Sequence, residues 1–330
     1  MAFRVETEVR GGGTVYHLRD EATGSSASVL PAFGFNLFDL RLPVAGQVRP
    51  VLASAADWAD RPRDPARNGT PILFPYPNRV RAGRFLFQGK EYRLPVALAP
   101  NAIHGFALSA HWDVIEHKAA STEAFVTGRY QISKQSPEMR PNWPTDAVLQ
   151  VRYGLAGRRL TMTVTVSNPT AEELPYGFGI HPYFRLPLAS GGDPAKTRVI
   201  LPAARCWVLD AFLPTGETRP VDDRLDFRKG QPRKGLKLDD VLTDLSFEGD
   251  RAVCRLVDDA LKAEFRLSFD RSFRELVVYT PPRDEDVISL EPYTQTTDAI
   301  NLQARGVDAG LRRLGHGRQE TMSIVMETAG

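Results

Sequence analysis

Four stretches of this chain set isolated ionisable side chains among aromatics, glycines and prolines: residues 68–84 (NGTPILFPYPNRVRAGR), 101–112 (NAIHGFALSAHW), 174–186 (LPYGFGIHPYFRL) and 288–301 (ISLEPYTQTTDAIN). Glu291 sits between Leu290 and Pro292 in a nearly uncharged run, where burial raises a carboxyl towards the range of a general base. Paired to an arginine on a strand edge it is instead a structural group. His104 and His181 are each flanked by turn-formers, in Ile103-His104-Gly105 and Ile180-His181-Pro182; at a strand end such a ring projects into a cleft, although a structural histidine fits the same pattern. Rings beside isolated charges suit a sugar, whose C–H faces stack on aromatics and whose hydroxyls need paired donors and acceptors. Phe74, Tyr76, Phe178, Tyr183, Phe184 and Tyr293 serve that role or fill a core.

Metal chemistry has little support. There is no HxH or HExxH spacing, and His111 and His117 on one strand stand ~20 Å apart, too far for a shared ion. No GxSxG elbow, Walker A loop or dinucleotide fingerprint occurs, and Gly11-Gly12-Gly13 lacks the lysine of a phosphate cradle. Neither a cofactor nor a metal is expected.

The elements that position these groups read as strands. Leu160, Met162, Val164 and Val166 alternate with Thr161, Thr163, Thr165 and Ser167, a half-buried strand. Phe3, Val5 and Val9 alternate with Arg4, Glu6, Glu8 and Arg10, and Phe265, Leu267 and Phe269 with Glu264, Arg266 and Ser268. Further strands are expected at 125–132, 147–155, 276–280 and 322–326. Helices are expected only at 53–59 and 307–314. With 26 Gly and 25 Pro as punctuation, the chain reads as mostly antiparallel β joined by turns. No linker divides residues 1–330, which are read as a single domain. The charged segment 222–237 reads as a solvated loop.

Composition excludes several classes. At 330 residues, 42% apolar and 25% charged, the chain is an ordinary globular protein. Its net charge of +2, from 42 Lys and Arg against 40 Asp and Glu, provides no global field for a polyanion or an acidic membrane. Only Cys206 and Cys254 occur, without a CxxC pair, and MAFRVETEVR lacks a secretory apolar run. A soluble, cytoplasmic monomer or homodimer is expected, without nucleic acid or membrane partners.

Taken in order, G-x-P-I-L-x-P-x-x-N-R-[IV], N-x-x-H-G, G-x-x-x-H-P-Y-F and L-E-P-x-T-x-x-x-D-A-x-N resemble the aldose 1-epimerase (galactose mutarotase) family, from about Asn68 to the C-terminus. The resemblance implies a large antiparallel β-sandwich of the galactose mutarotase-like supersandwich type. It also implies interconversion, without cofactor, of the α and β anomers of a free hexose such as galactose or glucose. It assigns Glu291 as catalytic base, His181 as catalytic acid, His104 as a second active-site histidine and Arg79 as a sugar-binding arginine. Asp240, with Asp239 beside it, matches the sugar-binding aspartate, and Asn78 lies near the pocket. The acid and base are expected on either side of the ring. The chain departs from the family's His-Gly-Gly with His104-Gly105-Phe106, and from Asn-His-Ser/Thr-Tyr-Phe with Ile180-His181-Pro182-Tyr183-Phe184. The run from His104 to Ala107, with Trp112 after it, is similar to the hexose-6-phosphate mutarotases, for which Arg81, Arg84 and Arg185 are candidate phosphate ligands. A non-catalytic carbohydrate-binding protein on the same fold, and a glycosidase or lyase using Asp240 as second carboxylate, are the other readings.

Overall fold

The computed structural model describes residues 2–282 and 286–329. Its strands form three large antiparallel sheets. A nine-stranded sheet runs from Asp113–Ala119 at one edge, through Ala124–Gln131, Val148–Ala156, Arg159–Ser167, Gln319–Thr328, Ala263–Asp270 and Arg251–Asp258, to Arg198–Ile200 and Gln231–Pro232. An eight-stranded sheet contains Leu213–Pro220, Ala203–Asp210, Asp239–Leu245, Glu275–Tyr279, Val287–Tyr293, Gly179–Ile180 and Ile72–Leu73, with Tyr183–Arg185 also paired to Val287–Tyr293. The first 50 residues add a five-stranded meander.

The alternation legible in the sequence is the packing pattern. Leu160, Met162, Val164 and Val166 are buried while the intervening Thr and Ser are half-exposed. They join Leu276, Val278, Ile288 and Leu290 of the eight-stranded sheet, and Ile324 and Met326, in one apolar cluster. Burying each such side chain contributes roughly 1.5–3 kcal/mol. The strands expected at 125–132, 147–155, 265–269, 276–280 and 322–326 are present within one to three residues of their expected bounds. The first strand, Phe3–Arg10, is a sheet edge, and Val9 is 82% exposed on it.

Both expected helices are corrected. At 53–59 the chain makes turns, because tertiary partners take the backbone groups a helix would use: Ala53 N–H donates to the Tyr183 carbonyl, Ala55 N–H to Asn68 Oδ1, and Gly69 N–H to the Ala53 carbonyl. At 307–314, Gly306 and Gly310 have positive φ and Arg312–Leu314 pairs as a strand with Leu174–Tyr176. The longest α-helix is Ala299–Ala304, inside the fourth stretch. In the charged segment 222–237 most residues face water, but Arg233 is buried and Arg224 reaches Asp240.

Candidate active site

Strand register decides which side chains meet. Residues directly opposite one another across a ladder share a face, and neighbours along a strand take opposite faces. Ser289 lies opposite both Tyr279 and Tyr183, and Tyr279 lies opposite Asp239. Glu291 lies opposite Val277, and Tyr293 opposite Glu275 and Gly179. One face of the eight-stranded sheet therefore carries Asp239, Tyr279, Ser289, Glu291 and Tyr293, with His181 and Tyr183 alongside. The other face carries Leu290, Val278 and Asp240, and packs into the core.

On the first face Glu291 Oε1 stands 3.3 Å from His181 Nε2. The remaining atoms of both groups are held. Tyr293 donates its hydroxyl proton to Glu291 Oε2. Ser289 Oγ donates to the Pro182 carbonyl at 2.8 Å and lies 2.9 Å from His181 Nδ1. A hydroxyl has one proton to give, so Ser289 accepts from Nδ1–H, and the tautomer that leaves Nε2 facing Glu291 is fixed. The Tyr183 ring stacks on His181 at 4.7 Å and donates its hydroxyl proton to the Ala66 carbonyl. Glu291 is 1% exposed, and burial pushes its carboxyl well above the usual range, with the nearby Asp239 charge adding to the rise. Burial pushes His181 down to about 3. The proton of the pair therefore rests on the carboxyl, and the imidazole is neutral.

His104 reaches the cluster from a loop. Its ring meets His181 edge-on at 5.7 Å and its Nδ1 is buried without a partner among the described residues. Burial, with His181 and Arg79 near, holds it well below the ordinary histidine value. The loop bends sharply: His104 has φ +66° and donates its N–H to the Asn78 carbonyl, and Gly105 has φ +73°. A Cβ on Gly105 would lie 2.2 Å from the Phe74 carbonyl oxygen, so only glycine fits there. Arg79 begins a two-residue strand paired with Ala102–Ile103, and its guanidinium bonds Asn78 Oδ1 at 3.0 Å and lies 4.9 Å over the Phe212 ring. Phe212 is delivered by a two-residue hairpin turn whose residues, Ala211 and Phe212, both have positive φ. The segment carrying Arg79 is pinned by Asp298, whose N–H donates to the Arg79 carbonyl and whose Oδ1 accepts from Arg81 N–H and Asn301 Nδ2. This gives the Asp and Asn of the D-A-x-N pattern a structural task.

Glu291, His181, His104, Arg79 and Asn78 are thus brought together. Asp240 is not: its carboxylate is bidentate with Arg224 at 2.7 and 2.9 Å on the core-facing side. Asp239 faces the cluster, its pKa raised by burial and drawn back by Arg79. The expectation of Asp240 is corrected by strand alternation alone. The acid and base are also not on opposite sides of a cavity but in contact. Ser289, which the sequence reading passed over, and Tyr293, which it read only as a stacking or core ring, had a signal as supports, since each is two positions from Glu291 in a strand and must share its face. Tyr279 had none beyond its place at the end of an apolar run. Of the proposed phosphate ligands, Arg81 approaches Asp298 at 3.7 Å, while Arg185 lines a cleft of about 910 Å³ with Arg67, Tyr183 and Tyr279.

The family model described as Aldose 1-epimerase matches residues 15–325. Over 174 residues the chain is 29% identical to the uncharacterized protein YihR of Escherichia coli, covering 51% of this chain and 52% of that protein. It is 30% identical over 154 residues to galactose mutarotase of Rattus norvegicus, covering 46% and 43%. The aligned part thus spans about half the length of these curated relatives or less. Among solved structures, a galactose mutarotase-like protein of Clostridium acetobutylicum superposes with TM-score 0.88 at 22% identity, covering 100% of this chain and 99% of that one. Galactose 1-epimerase of Lactobacillus acidophilus superposes with TM-score 0.76 at 18% identity, covering 99% of each. At these identities the structural likeness is one of fold. No described helix is long and apolar enough to cross a membrane.

Proposed function

The chain belongs to the aldose 1-epimerase family, and from that premise we propose that it interconverts the α and β anomers of an aldohexose by acid–base ring opening and closure. The observation that carries the proposal is the contact of Glu291 Oε1 with His181 Nε2 at 3.3 Å, each group held from behind by Tyr293 or Ser289. In a pyranose the hydroxyl oxygen O1 and the ring oxygen O5 are both bonded to C1. A group that serves O1 and one that serves O5 must therefore stand side by side, as these do.

The pair holds one transferable proton. Moved from the carboxyl to Nε2, it leaves a carboxylate supported by Tyr293 and an imidazolium supported by Ser289. The carboxylate then takes the proton from O1 while Nε2–H is delivered to O5. The C1–O5 bond breaks, its electron pair staying on O5, and C1=O1 becomes a carbonyl. After rotation about C1–C2 the same groups run the steps backwards and the ring closes on the other face of the carbonyl, so the protein ends each turnover as it began. Arg79 and Asp239 are suited to holding non-reacting hydroxyls, so that only the reacting atoms move. Each of the two proton-transfer groups contributes roughly 10²–10⁴-fold. A glycosidase that uses Asp240 as its second carboxylate is not supported, since Asp240 is engaged by Arg224.

Glu291→Gln keeps size and burial but cannot accept a proton from O1. Polarimetry on freshly dissolved α-glucose and α-galactose should show acceleration by the native protein and a loss of about 10³-fold or more in the variant, with an unchanged circular dichroism spectrum. Full activity in the variant removes Glu291 from the reaction. Sugar binding by calorimetry with no acceleration by the native protein selects a non-catalytic carbohydrate-binding role.

A further inference from the structure

One aromatic ring of the chain is placed unlike the rest. Among the described residues every other Phe, Tyr and Trp is buried or half-buried, while Phe212 is 52% exposed. Isolated apolar side chains are ordinary on a protein surface, so exposure alone assigns this ring nothing. Its support and its neighbour do.

The support is a two-residue hairpin turn between Asp210 and Leu213, which lie opposite one another. Both turn residues have positive φ, +47° at Ala211 and +65° at Phe212, the condition of a type I′ turn, for which Asn-Gly is a favoured pair. A Cβ crowds the backbone in this region, and a large side chain suits it least. Ala-Phe is therefore a poor choice for the turn itself. The strand before it, Ala203–Asp210, runs antiparallel to Asp239–Leu245 with Cys206 opposite Leu242, so the tip projects past Asp239.

The neighbour is Arg79, whose guanidinium carbon lies over the Phe212 ring at 4.9 Å from its centroid, within the range of a cation–π contact. Among the described residues that guanidinium has one hydrogen-bond partner, Asn78 Oδ1, and one ring against it. Its charge is felt at Asp239, His104 and Glu291. Arginine carries several N–H donors, so others are left for a ligand. A long side chain kept ready for a hydroxyl must be stopped from swinging out to water, and a ring laid against the guanidinium does that without occupying a donor.

We infer that Phe212 is a positioning residue for the sugar: it holds the Arg79 guanidinium in its binding position, and the turn stays strained to place the ring there. This rests on the mutarotase reading and adds a residue to its binding site. Polarimetric kinetics on an aldose that the native protein turns over test it. Phe212→Ala should raise KM about 3- to 10-fold, the size of a cation–π contact. Its kcat should change less than about twofold, because Arg79 holds non-reacting hydroxyls alike in ground and transition states. Phe212→Tyr keeps the ring and should keep the native KM. In an Arg79→Ala background, Phe212→Ala should have no further effect. The Ala211→Asn/Phe212→Gly double variant should pull stability and function apart, melting no lower than the native protein because the turn is relieved, while KM rises as in Phe212→Ala. An unchanged KM in Phe212→Ala, a rise undiminished in the Arg79→Ala background, or a loss of stability alongside the rise in the double variant overturns the inference and leaves the mutarotase reading standing. No acceleration of anomer equilibration by the native protein overturns that reading and this inference with it.

Discussion

The carboxyl proposed to react is set by two opposing influences that one residue separates. Burial and Asp239 raise Glu291, and the Tyr293 hydroxyl lowers it by hydrogen bonding to Oε2. Tyr293→Phe removes only the lowering influence, so the carboxyl rises further and ionises at higher pH. The alkaline limb of the kcat/KM profile, where the pair loses its one proton, should move up by about one unit, the equivalent of one hydrogen bond to a charged group. An unmoved limb with reduced activity would make Tyr293 a packing residue only. At this scale the sequence singled out Glu291, His181, His104 and Arg79, and the structure brings their side chains into one cluster. The supports behind them were not legible, because a hydroxyl two residues from a carboxylate announces itself only once the strand's facing is known.

At the scale of elements, alternation separates two adjacent aspartates that sequence could not. Asp239 shares the face of Tyr279 and Ser289, and Asp240 that of Val278 and Leu290. Asp239→Asn should therefore raise KM or lower kcat for any turned-over sugar by about tenfold or more, from loss of a charged hydrogen-bond acceptor. Asp240→Asn loses a half-exposed pair with Arg224 and should cost no more than about 1 kcal/mol of stability, with kinetics intact. Equal kinetic effects of the two would mean that the register does not govern the site. The strands themselves were the legible part of the fold, since a period of two survives in residues such as 160–167 whatever the tertiary context. The helices failed for the converse reason. A short apolar run such as 53–59 has no say over its backbone when Tyr183 and Asn68 compete for its N–H groups.

Over the whole molecule, the sheet face that holds the pocket also holds a second buried carboxyl with no part in the reaction. Glu275 accepts from the Trp207 indole N–H at 2.9 Å, and burial pushes it up to about 7. Its folded value lies above the unfolded one of about 4.3, so the folded state binds the extra proton between those limits. The stability it contributes is complete below the unfolded pKa and is lost as pH rises through about 7, an amount of about 3 kcal/mol by pH 9. Glu275→Gln keeps an acceptor for the indole and cannot ionise. Urea denaturation at pH 5 to 9 should show the variant gaining on the native protein as pH rises, with the depressed histidines cancelling in the difference. A constant difference would place the titration elsewhere. This carboxyl could not be read from the chain, because its setting depends on Trp207, 68 positions away, and on neighbours across a ladder. The strand Val287–Tyr293 is buried at all seven positions, one side given to cohesion and the other to the proposed site. Heat that loosens the sandwich should therefore disarm the proposed acid–base pair in the same step, so that melting and loss of any anomer interconversion coincide.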